Sequence, residues 1–340
     1  MRSSNLPFVT ILTPVYNGEN YLAECIESVL GQSYDNWEYI IANNCSTDST
    51  VRIAEHYAKI DQRIHVYSFN EFVGVIESHN RALRLVSPKS KYCKVVSADD
   101  RITPDCVTKM VNLAEAHPAV GIVGSYQLSR GEVIWKGLSQ DSEKFSGRTV
   151  CRALLLDHLP VAGNPTSSLY AAELIRRNDP FFPHLLPYAD RSAVFKYLQY
   201  CDLGFVHEVL SMQRIHKAQV TSRTNKLGMW EIGLLGDFYH YGPVYLTEKE
   251  FQAFERKMLD GYYRWLSTCI LKMKPKAFWK FQNDRLRELG YQIRWRKVLR
   301  GVVDEIADEI QNPKDAFNKL LVALKDRCED KVVNKSAKSP

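Results

Sequence analysis

Hydrophobic positions along the first hundred residues switch repeatedly between short continuous runs and a helical spacing. Residues 8–13 form an apolar, β-branched run that predicts a buried strand, broken by Pro14-Val-Tyr-Asn-Gly18. Over 19–30 the apolar positions Leu22, Cys25, Ile26, Val29 and Leu30 share one helical face, and Gly31 is a C′ stop. The cycle recurs with a strand over 37–42, a polar loop at 43–48 that can cap a helix over 49–60, and a strand over 64–69. A helix over 76–86 and a strand over 92–96 follow. This β-α-β-α-β-α-β order predicts a parallel sheet with right-handed crossovers.

Past residue 100 the pattern is less regular. It predicts helices over 104–116, 149–158 and 189–200, strands over 120–126 and 167–170, and an extended segment over 204–213. The sheet is therefore expected to be mixed, mostly parallel, and flanked by helices. A boundary is expected near 246, where Thr247-Glu-Lys-Glu250 is a capping box and Leu246 and Phe251 can form a hydrophobic staple. The expected division is 1–246, with halves at about 7–126 and 127–246, then a helical region over 247–330 and a loose tail over 331–340. The helical region is read from Leu286, Leu289 and Ile293, then from Leu299, Val302, Ile306 and Ile310. Asn312-Pro313 would cap a last helix bearing Phe317, Leu320, Leu321 and Leu324.

Composition narrows the class. The chain has 340 residues, 45% of them hydrophobic, enough for a full core. It shows no apolar run long enough to cross a membrane and no leader, and its eight scattered cysteines include no Cys-x-x-Cys pair. These features predict reduced thiols in a cytoplasmic setting, at most at the inner face of a membrane. Charge is uneven: residues 251–300 hold thirteen Lys or Arg against four Asp or Glu, a net +9 within a chain of +6. The other residues together are net negative.

Chemistry concentrates at Lys94-Val95-Val96-Ser97-Ala98-Asp99-Asp100. Residues 94–96 end the fourth strand, and two adjacent acids follow at the edge where open α/β sheets bind ligands. Acids held together there call for a cation, commonly a divalent ion that carries a phosphate-bearing substrate. The plainer alternative is a solvated acid beside a helix start, with Thr103 as N-cap and Pro104 at the first helical position.

Several short signals then lie in a recognisable order: Thr13-Pro-Val-Tyr-Asn17, Asn43-Asn-Cys-Ser-Thr-Asp48, Gly74 with Asn80, Ser97-Ala-Asp-Asp100, Asp190, and Gln213-Arg-Ile-His216. Over about 7–222 the chain resembles an inverting family 2 glycosyltransferase with the nucleotide-sugar-binding GT-A fold. The resemblance implies that Thr13, Pro14 and Tyr16 line a nucleoside pocket. Asn43 stands where the family usually has an Asp that meets the base, and Asn44 at the next acidic position; an Asn oxygen accepts from a uracil N–H as Asp does. His79 stands where the family often has Arg. Ser97 replaces the first Asp of Asp-x-Asp, with Ala98 between; Asp99 keeps the metal-ligand position and Asp100 the acid after it.

A sugar diphosphate departs as a highly charged group, and Mg²⁺ or Mn²⁺ neutralises it as a Lewis acid. With Ser97 in place fewer protein acids would surround the ion, so metal binding should depend on the nucleotide. Asp190, where Ala189 replaces the family's Glu, is the expected general base toward an acceptor hydroxyl; its alternative is an N-cap. Arg214 and His216, two apart in an extended segment, should share a face and could hold the diphosphate. His117, His158, His184 and His240 have no partner spacing; Asn164-Pro-Thr-Ser-Ser168 could touch the acceptor but reads first as a plain turn.

The expected donor is a nucleotide sugar, with UDP-sugars favoured, and the acceptor a saccharide or lipid-linked hydroxyl. A nucleotide-sugar-binding protein without catalysis is the first alternative, and a sugar nucleotidyltransferase the second. No Gly-rich, basic loop after the first strand supports the latter. The basic region at 251–300 carries Trp265, Trp279, Phe281, Tyr291 and Trp295. It is either a peripheral face for anionic lipid or a helical cap with solvated charges. No reading motif for nucleic acid accompanies it.

Overall fold

The computed structural model describes residues 6–161, 164–183, 188–216 and 225–311. The chain forms two compact units divided after Phe251. The expected last helix over 313–324 and the tail lie outside the described residues.

The first unit is built on one mixed sheet ordered β3-β2-β1-β4-β9-β6-β10-β5. Its N-terminal half is parallel: β1 (Val9–Val15) lies between β2 (Trp37–Asn43) and β4 (Tyr92–Val95), with β3 (Ile64–Ser68) outside β2. The strand order reverses at β1, which opens a crevice beyond the carboxyl ends of β1 and β4. β9 (Ser168–Ala171) runs antiparallel between β4 and β6 (Val120–Ser129). β10 (Asp202–Gln213) pairs parallel with β6 and antiparallel with the two-residue β5 (Arg101–Ile102). Two short strands, β7 (Glu132–Ile134) and β8 (Lys144–Phe145), edge β6 and β10.

Helices α1 (Leu22–Leu30), α2 (Thr50–Ile60), α3 (Val75–Leu83) and α4 (Cys106–Ala116) connect the parallel half. One continuous core joins Leu22, Ile26 and Val29 of α1 and Val107 and Met110 of α4 to Ile11, Tyr39 and Leu169 of the sheet. The helix start expected at Pro104 is displaced to Cys106. Pairing with β10 captures residues 101–102, Thr103 N–H donates to Leu210 O (3.0 Å), and the Thr103 hydroxyl donates to Asp105 Oδ1 (3.0 Å). The rest of the first unit adds α5 (Gly147–Leu156), α6 (Ala172–Arg176), α7 (Ala189–Tyr197) and α8 (Met229–Tyr245).

Helix α9 (Glu248–Leu271) begins with the expected capping box: Thr247 N–H donates to Glu250 Oε2 (2.8 Å) and Glu250 N–H to Thr247 Oγ1 (3.3 Å). In the second unit α9 meets α10 (Lys276–Glu288) and α11 (Trp295–Gln311). Leu286, Leu289 and Ile293 do not form one stripe, because α10 stops at Glu288 and Ile293 lies in the link to α11. Among the described side chains of α11 the buried ones are Val298 and Glu305, while Leu299 and Ile306 of the expected stripe are exposed. The reason is a close approach: a Cβ on Gly301 would meet Ser267 Oγ at 2.4 Å, and Ser267 Oγ donates to Val298 O at 2.8 Å. The tryptophans mostly turn inward. Trp265 and Trp279 both contact the fully buried Phe278, at 5.6 and 5.2 Å between ring centroids. Among the described residues no helix is long and apolar enough to cross a membrane.

Candidate active site

The loop after β1 and the loop after β2 are stitched together. Asn17 Oδ1 accepts from Thr47 N–H (2.8 Å), Asn17 N–H donates to Ser46 Oγ (2.9 Å), and Gly18 N–H donates to Thr50 Oγ1 (2.8 Å). Gly18 is required by space: a Cβ there would stand 2.7 Å from Val15 Cγ2.

Thr13 is fully buried; its hydroxyl donates to Val96 O (2.9 Å) and lies 2.8 Å from the Tyr39 hydroxyl, locking β1 to β4. Pro14 is buried in register with Ala42. Asn43 and Asn44 are also buried, and their amides serve the chain itself. Asn43 Oδ1 accepts from Ser46 N–H (3.0 Å), and Asn44 bonds both backbone groups of Val73, at 2.8 and 3.1 Å. The side chains that face outward at this rim are Tyr16 and Phe72, 50% and 56% exposed with ring centroids 4.7 Å apart. Phe72 has no signal in the sequence beyond being an aromatic residue in a polar loop.

Beyond β4 the acids separate into two environments. Asp100 is 2% exposed: Oδ2 accepts from the Thr166 hydroxyl (2.7 Å) and Oδ1 from Arg214 N–H (3.2 Å). Burial, and after it the charge of Asp99, push this carboxyl up to about 7 against those two hydrogen bonds. Thr166 Oγ1 also accepts from Ser97 N–H (3.0 Å). Behind them the fully buried Lys94 donates to the carbonyls of Thr166 and Ser168. The segment at 164–168, read from sequence as a plain turn with contact to an acceptor as its alternative, therefore underlies the acidic loop. A lysine inside the apolar run from Tyr92 to Val96 was the signal for it.

Asp99 keeps a partly open side chain, and His216 Nε2 stands 3.0 Å from its Oδ2. Arg214 and His216 do share a side: the Tyr21 ring lies 4.8 Å from Arg214 Cζ and 4.7 Å from the His216 ring. Arg214 Nη2 is 2.6 Å from Glu24 Oε2. Neither Tyr21 nor Glu24 was singled out from sequence, since both fit an ordinary amphipathic helix start. Ala98 sits 3.7 Å from where a Gly18 Cβ would be, closing the crevice between the β1 and β4 loops. His79 Nδ1 bonds Val75 O (2.8 Å); burial holds its imidazole below the usual range, with Asp99 acting in the opposite direction.

Asp190 belongs to a different setting. It lies in the first turn of α7, with Tyr188 and not Asp190 at the cap, and its Oδ1 accepts from Arg191 N–H (2.8 Å). Burial pushes Asp190 up to about 6, against that hydrogen bond and the Arg191 charge. Arg191 in turn pairs with the buried Asp237 of α8 (2.8 Å), and Ser192 Oγ donates to Asp237 Oδ1 (2.9 Å), so α7 is fixed to α8.

Two side-chain atoms that share one divalent ion lie about 3 Å apart, as expected from metal–oxygen and metal–nitrogen distances near 2.1 Å. Asp99 Oδ2 and His216 Nε2 meet that condition, whereas both oxygens of Asp100 are taken by donors of the chain. Among the described residues no group of three or more His, Cys, Asp or Glu side chains is arranged to hold a metal. An ion here would need further ligands from the substrate.

Residues 10–170 match the model of glycosyl transferase family 2. The chain is 30% identical over 310 residues to an uncharacterized glycosyltransferase of Rickettsia prowazekii, covering 89% of this chain and 90% of that protein. It is 38% identical over 105 residues to a Bacillus subtilis protein named for teichuronic acid biosynthesis, 31% of this chain and 41% of that protein. Among solved structures it is similar to S. aureus TarS in complex with UDP-GlcNAc (TM-score 0.60, 17% identity, 83% and 80% of the two chains). It is also similar to a Pyrobaculum calidifontis mannosyltransferase in complex with GDP-Man and Mn²⁺ (TM-score 0.53, 15% identity, 90% and 89%). The fold is that of the GT-A glycosyltransferases, and the chain belongs to glycosyl transferase family 2.

Proposed function

We propose that this glycosyltransferase moves a sugar from a nucleoside diphosphate donor to an acceptor hydroxyl in a single inverting displacement. The observation that carries the proposal is the convergence of Asp99, from the loop after β4, with Arg214 and His216, from the segment after β10, beside the crevice beyond β4. The base of the nucleotide would lie against Tyr16 and Phe72, with Asn43 and Asn44 shaping the loop beneath. Asp99 and His216 would hold Mg²⁺ or Mn²⁺, which when bound offsets the charge of the diphosphate. Arg214 would present its guanidinium to the same group. Asp190, raised toward neutrality by burial, would accept the proton of the attacking hydroxyl.

A UDP-sugar is the favoured donor, in keeping with the UDP-GlcNAc-bound neighbour, and the acceptor a saccharide or lipid-linked hydroxyl. The second unit is proposed as a peripheral face toward anionic lipid: it keeps Trp295, Leu299 and Val303 exposed beside Arg296, Lys297 and Arg300. Thermal-shift titration with UDP- and GDP-sugars, with Mn²⁺ and with EDTA, tests the donor site. Anomeric analysis of the product by NMR tests inversion. Retention of configuration, or no stabilisation by any nucleotide sugar, would overturn the proposal.

A further inference from the structure

Glu24 lies one helical turn after Tyr21 at the start of α1, and both reach the segment that carries Arg214 and His216. One oxygen of Glu24 serves two arginines: Oε2 is 2.6 Å from Arg214 Nη2 and 3.4 Å from Arg101 Nη1. An anionic oxygen between two guanidinium groups fills the position that a phosphate oxygen would take. Arg214 does not depend on this contact for its placement. Its backbone N–H is held by Asp100 Oδ1 at 3.2 Å, and its guanidinium lies against the Tyr21 ring at 4.8 Å. Glu24 is the more exposed partner, 44% against 31% for Arg214, and so has the more open path to solvent.

We infer that Glu24 is a resident stand-in for a donor phosphate oxygen. This rests on the assignment of Arg214 to the diphosphate made above. When the donor enters, its diphosphate displaces the carboxylate from Arg214 and Arg101. After transfer, Glu24 retakes both arginines and helps the nucleoside diphosphate leave. The residue therefore weakens diphosphate binding and speeds product release. A carboxylate that merely oriented Arg214 would do the opposite and strengthen binding.

The test uses the full chain with UDP and, separately, GDP, each in Mn²⁺, by isothermal titration. The variants are Glu24→Gln, Arg214→Gln and the double variant; Gln matches Glu in helix preference, so α1 is preserved. Glu24→Gln is expected to tighten binding of the accepted nucleotide about three- to tenfold, the scale of one partly exposed ion pair with added like-charge relief. Arg214→Gln is expected to weaken it, and the double variant to lose the gain. Unchanged or weaker binding by Glu24→Gln, with Arg214→Gln still weakened, overturns the inference and leaves the donor assignment standing. Binding of neither nucleotide by the parent, or equal binding by Arg214→Gln, overturns the donor assignment and the inference with it.

Discussion

The hydroxyl of Thr166 donates to Asp100 Oδ2 at 2.7 Å, joining the acidic loop after β4 to a turn 66 residues further along the chain. Thr166→Val keeps the shape and removes that donor. A buried carboxyl oxygen left without its partner costs about 1–3 kcal/mol. The expected outcome is lower stability in urea melts, together with weaker nucleotide binding in Mn²⁺ by titration. Unaltered values for both would mean that the contact does not position the loop.

Lys94 should be less tolerant than a surface lysine. Lys94→Met removes the buried Nζ donor from the carbonyls of Thr166 and Ser168. A destabilisation of about 1–3 kcal/mol is expected. Donor binding should fall in parallel, because the same turn carries Thr166. Chemical denaturation of the variant beside Thr166→Val measures both, and the two effects should be less than additive since the residues share one turn.

Asp190 should set the acidic limb of the pH profile. Its carboxyl is pushed up to about 6 by burial, and only the deprotonated form can accept a proton. Transfer at subsaturating donor should rise with pH through about 6 and level above it. Because the folded value exceeds the unfolded one near 3.9, this group favours the fold when protonated, and that contribution is lost as pH rises from about 4 through about 6. Asp190→Asn should therefore abolish transfer, leave nucleotide binding intact, and raise Tm at pH 7.5 by about 2–4 °C. An active Asp190→Asn enzyme would remove Asp190 from the base role.

Removing divalent ions should lower donor affinity at least tenfold, since an ion held as proposed by Asp99 and His216 would take most of its ligands from the nucleotide. Asp99→Asn should reproduce that loss in Mn²⁺, and EDTA should then add little. Titration of the parent and variant with and without EDTA gives all four values. Donor binding by the parent that ignores EDTA would rule out the ion.

The β-α alternation of the first hundred residues was legible because the strands are short, β-branched and aromatic-rich runs and each helix keeps one apolar face. Asp99, Arg214 and His216 were legible as types at ordered positions. What the pattern could not carry was partnership across the sheet. Thr166 is an ordinary turn residue until β9 places it beside Asp100, and Glu24 an ordinary helix residue until β10 delivers Arg214. The start of α4 was missed for a similar reason: pairing with β10 captured residues 101–102, which local capping rules cannot see. The apolar stripe of α11 was misassigned because Gly301 lets that helix press against Ser267 on a side that hydrophobicity alone would not choose.

The antiparallel insertion of β9 between β4 and β6 also decides where this enzyme can be cut. A truncated gene product ending at residue 126 would keep β1 to β4 around the crevice, yet it would strip Lys94 of its carbonyl partners and Asp100 of its hydroxyl. Any separately expressed donor module must therefore run through Ala171, and one that also carries Arg214 and His216 must include all of β10.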